Sequence, residues 1–452
     1  MNNNLFEKFN YIYFIGIGGI SMSGLAELML DEGCKVAGSD KCSSHIIEKL
    51  KKLGAEIFIE HNEKNITEDI DLVVYTSAIS DDNPELLMAK KLKLNIMDRA
   101  EFLGYIMKGY THSICVSGTH GKTTTTGMLS SILLETDLEP TIFLGGEMDS
   151  LGGNLKQGAN NLLLTEACEY RRNFLKFNPT MELILNIDSD HLDYYKDLKD
   201  IEEAFAEYAE KLPETGFLIA NHVNVDIFKN VKCNVVTFGL TQEADFYPSD
   251  INYYPTPSYT LMNGDKRIAD INLKVYGEHN ILNSIAAAAA CIMLDIDMEI
   301  IKKGLSEFKG THRRYEFKGN YRGAVLIEDY AHHPAEMKTS LHTARTYSRG
   351  KIITVFQPHT YTRTKALLNE FADVLKLSDI SILLDIYAAR EKDNGTIHSK
   401  DLLNKLTDAS AKGFYAKSFG EAVDLINNMV TEGDTLIIMG AGNVNEIIDM
   451  LK

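Results

Sequence analysis

The sequence predicts an α/β protein of three domains: a Rossmann-like N-terminal domain, a central α/β domain built on a P-loop, and a C-terminal Rossmann-like α/β domain. Three observations predict this. Short apolar runs alternate with helical patterns along the chain, the mark of parallel strands joined by crossover helices. Two glycine loops, at residues 16–24 and 117–124, each sit between an apolar run and a helical pattern. The chain has 452 residues, which at roughly 100–200 residues per domain makes three the natural division.

The elements follow in order. Tyr11–Ile15 is an apolar run ending in glycines, with a helical pattern over 22–30. Residues 35–37 form a second strand, closed by Gly38-Ser39-Asp40, and 56–59 and 71–75 add further strands. The pattern breaks over 105–113, which reads as a linker, so the first domain is 1–108. A buried strand at 113–116 then runs into the second glycine loop. Apolar strands at 161–165 and 182–185 follow, and an alanine-rich helix, opened by the motif at 277–283 and containing the apolar stretch 285–294, leads to the turn Lys309-Gly310-Thr311. These make the second domain, 109–311. The third, 312–452, has strands at 324–327, 351–356, 380–385 and 435–439 alternating with helices. No short-period repeat or coiled-coil heptad occurs.

Composition narrows the function. The formal net charge of -18 argues against a general nucleic-acid or anionic-membrane binder, both of which need a positive field. A local cluster of cations and a helix N-terminus still suffice to hold a phosphate. The six cysteines, at 34, 42, 115, 168, 233 and 291, form no CxxC pair and read as reduced thiols of a cytoplasmic protein. The N-terminus has no signal-peptide pattern, and the longest apolar stretch is far short of the about 20 residues of a membrane span. A monomer or a homodimer is equally compatible with the sequence.

Ser117-Gly118-Thr119-His120-Gly121-Lys122-Thr123-Thr124 carries the strongest chemical signal. Glycines let backbone N–H groups turn inward around phosphates, and the following helix adds partial positive charge. Lys122 is expected to reach the β/γ-phosphates and the Thr123 hydroxyl to ligate Mg²⁺. In Gly16-Ile17-Gly18-Gly19-Ile20-Ser21 a serine takes the place of a third glycine, and Asp40 lies about 20 residues on, where an acidic residue reads a ribose. That loop signals a nucleotide diphosphate without naming it.

Other candidates stand at strand ends. Glu166 and His191, of Asn186-Ile187-Asp188-Ser189-Asp190-His191, suit a second Mg²⁺ beside the phosphate loop, or are ordinary caps and loop residues. Asn280 and Asn283 share a helix face and suit an adenine or ribose, or Asn280 only caps its helix. His312-Arg313-Arg314 is a phosphate clamp or a solvated turn. Asp329, Tyr330, His332, His333, His359 and Arg363 form a polar rim at two adjacent strand ends, in which neutral histidine is a base near pH 7 and Arg363 suits a carboxylate.

These motifs in this order resemble the muramyl (Mur) ligase family. GIGGISMSG, SAISDDNPE at 77–85, SGTHGKTTTT, NIDSDHLD, GEHNILN, HRRYE, DYAHHP, FQPHTYTRT and DIYAAR at 385–390 carry the resemblance over almost the whole chain. Two positions depart from the family pattern: Ser21 replaces a usual glycine, and Glu166-Ala167-Cys168-Glu169 stands where many relatives read EADE. The resemblance implies a UDP-binding domain, a central ATPase domain and a C-terminal domain. It implies the cofactors ATP and Mg²⁺. ATP would meet Gly118, Thr119, His120, Gly121, Lys122, Thr123, Thr124, Asn280, Asn283, Arg314 and Asp329. Mg²⁺ would meet Thr123, Glu166 and His191. Gly18, Gly19, Ile20, Ser39, Asp40, Ser77, Ala78 and Ile79 would meet the UDP-sugar. Tyr330, His332, His359 and Arg363 match positions that meet L-alanine and the reacting end of the sugar.

The reaction so implied is ATP-dependent ligation of L-alanine to the lactyl carboxylate of UDP-N-acetylmuramate through an acyl phosphate, with Lys122, Glu166, His191, His332 and Arg363 as catalytic residues. Closure of the domains about the linkers is expected with it. Three rival readings stay open: an NAD-dependent oxidoreductase suggested by the first glycine loop, a non-catalytic nucleotide sensor, and a ligase adding a tripeptide to the same sugar. Selectivity for L-alanine over glycine or L-serine is not legible, since one methyl group is worth only about 1–3 kcal/mol.

Overall fold

The computed structural model describes residues 8–76, 78–159, 161–191, 194–389, 391–393, 395–408 and 411–452. Its strands form three sheets. The first holds β1 (Tyr11–Ile15), β2 (Lys35–Asp40), β3 (Glu56–Ile59), β4 (Leu72–Tyr75) and β5 (Asn95–Asp98) in the order β3-β2-β1-β4-β5, all parallel. The helices α1 (Ile20–Asp31), α2 (His45–Lys52) and α3 (Pro84–Lys91) make crossovers, and α4 (Arg99–Met107) leads on to the second sheet. Local chemistry starts them: Ser44 caps α2, Asn83 caps α3 with Pro84 in its first turn, and Asp98 with Glu101 forms a capping box on α4. The strand order reverses at β1, so the carboxyl ends of β1 and β4 flank a topological switch point.

The second sheet contains β6 (His112–Ser117), β7 (Thr141–Met148), β8 (Gly153–Lys156), β9 (Leu162–Glu166), β10 (Met181–Ile184), β11 (Phe217–Asn221), β12 (Asn234–Phe238), β13 (Phe246–Asn252), β14 (Ser258–Asn263) and β15 (Lys266–Asn272). Their order is β15-β14-β13-β12-β11-β10-β6-β9-β7-β8. The helices of this segment are α5 (Lys122–Leu133), α6 (Leu198–Ala209), α7 (Glu278–Met293) and α8 (Met298–Glu307). Strand–helix alternation describes its middle only. β7 pairs β8, and β13 through β15 pair in turn, in antiparallel fashion. A two-residue loop containing Gly264, at φ +52°, joins β14 to β15, so the Asn-Gly-Asp sequence there is a hairpin signal that the helix-period reading passes over.

The third sheet has the order β16-β17-β21-β18-β19-β20. It holds β16 (Glu316–Tyr321), β17 (Ala324–Asp329), β18 (Ile352–Phe356), β19 (Ile380–Leu383), β20 (Gly413–Tyr415) and β21 (Thr435–Met439), with β16 alone antiparallel to its neighbour. Helices α9 (Pro334–Tyr347), α10 (Tyr361–Ala366), α11 (Leu368–Leu375), α12 (Ser399–Asp408), α13 (Phe419–Met429) and α14 (Glu446–Leu451) accompany it. Separate apolar clusters, one with Val355 and Leu436 and one with Phe356 and Ile437, cover its two faces. That is why β18 and β21 are buried throughout and read as near-continuous apolar runs.

By compactness the chain divides into two units. The first comprises the chain up to Asn252 with Ser258–Lys274 and Ile281–Lys309, and the second comprises Tyr253–Pro257, Val275–Asn280 and Gly310–Lys452. The first unit contains both the first and second sheets over a continuous core. In it Phe14 packs edge-on to Phe102 at 6.0 Å, and Phe174 stands 5.1 Å from Phe205 and 4.5 Å from Tyr208. The linker expected over 105–113 is mostly regular structure: α4 runs to Met107, β6 starts at His112, and Ile106 and Met107 are buried. Their burial against the shared core explains why a stretch with an irregular pattern stays ordered. The alanine-rich helix begins at Glu278, within the motif at 277–283 read as opening it. Among the described residues, no helix is long and apolar enough to cross a membrane.

Candidate active site

β6 is buried from Ser113 onward and delivers the chain into the loop 118–121. Gly118 lies at φ +129° and Gly121 at φ +87°. A β-carbon at 121 would stand 2.8 Å from Asn283 Oδ1, and one at 118 would stand 3.1 Å from the backbone of Asn186. Conformation and crowding thus both require glycine. Asn186, just after β10, clips the loop: its Oδ1 accepts from His120 N at 2.8 Å and its Nδ2 donates to His120 O at 2.9 Å. Thr119 Oγ1 accepts from Asp188 N at 2.9 Å. α5 then starts at Lys122, so the loop ends on a helix N-terminus.

Lys122 Nζ folds back to donate to the carbonyls of Gly118 and Thr119, and pairs with Glu169 at 3.0 and 3.3 Å. Glu169 is only 2 % exposed. Burial opposes the ammonium charge, but Glu169, Cys168 and Glu166 together outweigh it and raise the Lys122 pKa. The next side chain, Thr123, donates from Oγ1 to Glu166 Oε2 at 3.0 Å, and Gly145 N donates to Glu166 Oε1 at 2.6 Å. Thr124 is half-buried one residue on.

His191 sits in the left-handed region at φ +54°, its ring 4.6 Å from that of Tyr170. Its Nε2 lies 3.8 Å from Glu169 Oε1 and 3.9 Å from Asp190 Oδ2. The structure therefore associates His191 with Glu169, where the sequence reading paired it with Glu166. The Thr123 hydroxyl and Glu166 carboxylate are hard oxygen donors of the kind Mg²⁺ takes. Among the described residues no ready-made cluster of three His, Cys, Asp or Glu exists. Mg²⁺ held through substrate phosphates and one or two protein oxygens does not need one.

The N-terminal glycine loop leaves β1 at Gly16, φ +82°, where a β-carbon would stand 2.6 Å from Thr76 Cγ2. Gly16 N and Ile17 N both donate to Ser39 O, at 2.8 and 3.0 Å. Asp40 Oδ2 accepts from Gly18 N at 2.9 Å, so the carboxylate expected to read a ribose also fixes this loop. Gly19 is exposed and precedes α1, and Ile20 is half-buried. Ser39 is fully buried and donates to Glu85 Oε2 at 2.5 Å, with His61 Nδ1 2.9 Å away. Its side chain belongs to an internal network, in which Glu85 also binds Tyr13 OH at 2.8 Å and Asn65 Nδ2 at 2.7 Å. Beyond β4, Ala78 is exposed and Ile79 half-buried, and Ser77 lies outside the described residues.

The second unit brings together another set. Asp329, at the end of β17, is buried. It accepts from the Ser340 hydroxyl and from Ala331 N at 3.3 Å. Burial pushes its pKa up to about 6, with Ser340 and Arg314 pulling the other way. The Arg314 guanidinium lies 5.1 Å over the Tyr330 ring and 4.0 Å from Glu336. Arg313 is not a solvated turn residue: its Nη2 donates to Gly440 O and Gly442 O at 2.9 Å each. His332 Nδ1 lies 3.0 Å from Tyr330 O and 3.4 Å from Glu336 Oε2. Two acceptors there place the proton on Nδ1 and leave Nε2 as the basic atom. Burial lowers the His332 pKa, Glu336 opposes that, and Arg363 adds to it. The His332 and His359 rings are 5.5 Å apart, and Arg363 Nη1 donates to His359 Nδ1 at 3.3 Å. Asn280 belongs to this unit and Asn283 to the first. Asn280 lies inside α7 rather than capping it, and its amide donates to Tyr276 O at 2.7 Å.

Several residues that build these sites carried no assigned role in the sequence reading. Glu169 is three residues past Glu166, Asn186 opens the quoted NIDSDH motif, and Glu336 follows His332 by one helical turn. Each lay within or beside a motif, but its partner is distant in sequence or visible only in three dimensions. Glu182, fully buried on β10, is a further case: its Oε1 accepts from the Ser117 hydroxyl at 3.1 Å, at the root of the phosphate loop. Burial holds its pKa well above the usual carboxylate range.

Comparison with known proteins supplies the family context. Three family models match in sequence order: Mur ligase family, catalytic domain, over 11–111; Mur ligase middle domain over 116–291; and Mur ligase, glutamate ligase domain, over 313–442. The UDP-N-acetylmuramate--L-alanine ligase of Clostridium kluyveri is 48% identical over 447 residues, 98% of each chain. That of Acetivibrio thermocellus is 48% identical over 450 residues, 98% of this chain and 96% of the relative. Among solved structures, the UDP-N-acetylmuramate-alanine ligase of Thermotoga maritima superposes with a TM-score of 0.83 at 29% identity, over 97% of this chain and 98% of that one. A murein peptide ligase of Psychrobacter arcticus shares the fold with a TM-score of 0.74 at 23% identity, over 98% of both chains.

Proposed function

The chain belongs to the Mur ligase family, and from that premise we propose that it joins L-alanine to the lactyl carboxylate of UDP-N-acetylmuramate, converting ATP to ADP and phosphate, in the synthesis of peptidoglycan precursors. The observation that carries this reading is the phosphate loop, with Lys122 folded onto it and Thr123 bonded to Glu166, in a chain matched end to end by relatives named for this reaction. The proposed division of labour puts the UDP-sugar on 1–108, ATP on 109–311 and amino-acid contacts on 312–452. The six free thiols suit a reducing cytoplasm.

In this mechanism the loop N–H groups and Lys122 hold the ATP phosphates. Thr123, Glu166 and His191 are the residues that would hold Mg²⁺, which when bound supplies positive charge against the repulsion between two anions. A lactyl carboxylate oxygen attacks the γ-phosphorus, the bond from that phosphorus to ADP breaks, and an acyl phosphate forms. The alanine nitrogen then attacks the acyl carbon, and the carbon–oxygen bond to phosphate breaks. The amine must be neutral to attack, and its reference pKa near 8 makes a weak base sufficient. His332 Nε2 takes the proton, and Glu336 beside Nδ1 favours the imidazolium that results.

The test is phosphate release from MgATP with UDP-N-acetylmuramate, with and without L-alanine. Release that requires both, with one ligated product by mass, supports the reading. Release with a tripeptide and not with L-alanine would overturn the amino-acid assignment. No stimulation by the sugar nucleotide would overturn the acceptor.

A further inference from the structure

A cavity of about 100 Å³ lies within the first unit, lined by Ser21 of α1, Arg99 of α4, Gly145, Asn154, Glu166 and Cys168. Its lining includes the start of α1 and the Asn154 amide, which donates to Ile20 O at 2.6 Å. It also includes Glu166, bonded to Thr123 of the phosphate loop. The cavity thus shares residues with the helix that follows the first glycine loop and with the proposed cation site, and its volume suits a carboxylate rather than a whole sugar.

Arg99 is the cation in this cavity. Its carboxylate neighbour Asp98 is engaged by Lys176 and caps α4. Glu169 is taken by Lys122. The Cys168 thiol offers no charge, since burial and Glu169 raise its pKa against the pull of Lys122 and Arg99. Among the described residues no carboxylate stands within ion-pair distance of Arg99. Arg99 is moreover the first residue of α4, where the helix dipole disfavours a positive side chain. An unpaired arginine kept at an unfavourable helix position, in a chain with 64 acidic residues, indicates an anion to be bound.

We propose that Arg99 is a substrate-binding residue that receives the acceptor carboxylate of the sugar nucleotide in this cavity and holds it beside the phosphate loop. The proposal rests on the function proposed above. A planar guanidinium binds a carboxylate with two parallel hydrogen bonds, and it stays charged when the carboxylate becomes an acyl phosphate.

Binding of two ligands by calorimetry tests it: UDP-N-acetylmuramate, and UDP-N-acetylglucosamine, which carries the same nucleotide and a similar sugar without the lactyl carboxylate. Arg99→Met is expected to weaken binding of UDP-N-acetylmuramate by about 10–100-fold and to leave UDP-N-acetylglucosamine within about twofold. Arg99→Lys keeps the charge without the fork. It is expected to lose less, again for the carboxylate ligand only, and it serves as the test if the methionine variant does not fold. Unchanged affinity for UDP-N-acetylmuramate would overturn the proposal. So would an equal loss for both ligands, which would assign Arg99 to the diphosphate. Phosphate release by the unaltered enzyme separates the two failures: full turnover with an indifferent Arg99 sinks this inference alone, and no turnover with UDP-N-acetylmuramate sinks the function and the inference together.

Discussion

Lys122 and Glu169 form a largely buried ion pair, with side chains 17% and 3% exposed. Removing one partner of such a pair strands the other charge at a cost of about 3–5 kcal/mol. Lys122→Met is accordingly expected to lower both stability and kcat, the latter by about 10²–10³-fold as for loss of one electrostatic donor. The double variant Lys122→Met/Glu169→Gln should recover most of the stability and none of the activity, measured by denaturant melts and phosphate release. Glu182 makes a second prediction. It is buried with a raised pKa, so the folded state keeps it protonated where the unfolded chain, with a usual value of 4.5, does not. Its contribution to stability is therefore fully present below pH 4.5 and is lost as pH rises toward its folded pKa. Glu182→Gln cannot ionise, so its stability relative to the native protein should be constant below pH 4.5 and should rise progressively as pH increases above it. A stability gap that does not widen with pH would refute the assignment.

At the scale of elements, α9 does two things. His333 and Glu336 form its capping box, and the same Glu336 carboxylate lies beside His332 Nδ1. Glu336→Gln keeps an acceptor for the capping box and should leave stability nearly unchanged. It should also shift the acid limb of the kcat profile to lower pH, because Glu336 supports the His332 charge. An unmoved limb would show that Glu336 acts only in the cap. Much at this scale was readable beforehand. β1, β6, β17 and β21 announce themselves as apolar runs, and their ends carry the motif residues because a parallel sheet presents its loops at the carboxyl edge. The β13–β15 antiparallel extension was not read, although its Asn-Gly turn is plain, because alternation elsewhere suggested helices between strands.

At the scale of the whole molecule, the chain enters each compact unit more than once. Residues 253–257 and 275–280 belong with the C-terminal sheet although the sequence places them inside the central segment. Within that unit Tyr347 OH donates to Tyr253 O at 2.8 Å, and its ring packs on Tyr276 at 4.6 Å. A fragment starting at residue 310 lacks both partners. Expressed alone, it should melt at a lower temperature than the Gly310–Lys452 part of the intact chain followed by hydrogen exchange. Equal protection would show that these two excursions contribute nothing to the fold of that unit.

What the sequence determined by itself was whatever depends on neighbours along the chain: three α/β segments, two glycine loops between strand and helix, and the family motifs at strand ends. Tertiary structure alone decided which side chains meet. Glu169 stands by His191; Asp40, expected to read a ribose, accepts from Gly18 N of the glycine loop; Glu85 gathers Ser39 and His61; and Arg99 faces a cavity with no carboxylate partner. The physical reason is range. Periodicity and turn chemistry act over a few residues, whereas these pairs are set by how sheets and helices pack across separations of tens of residues, which no local pattern encodes.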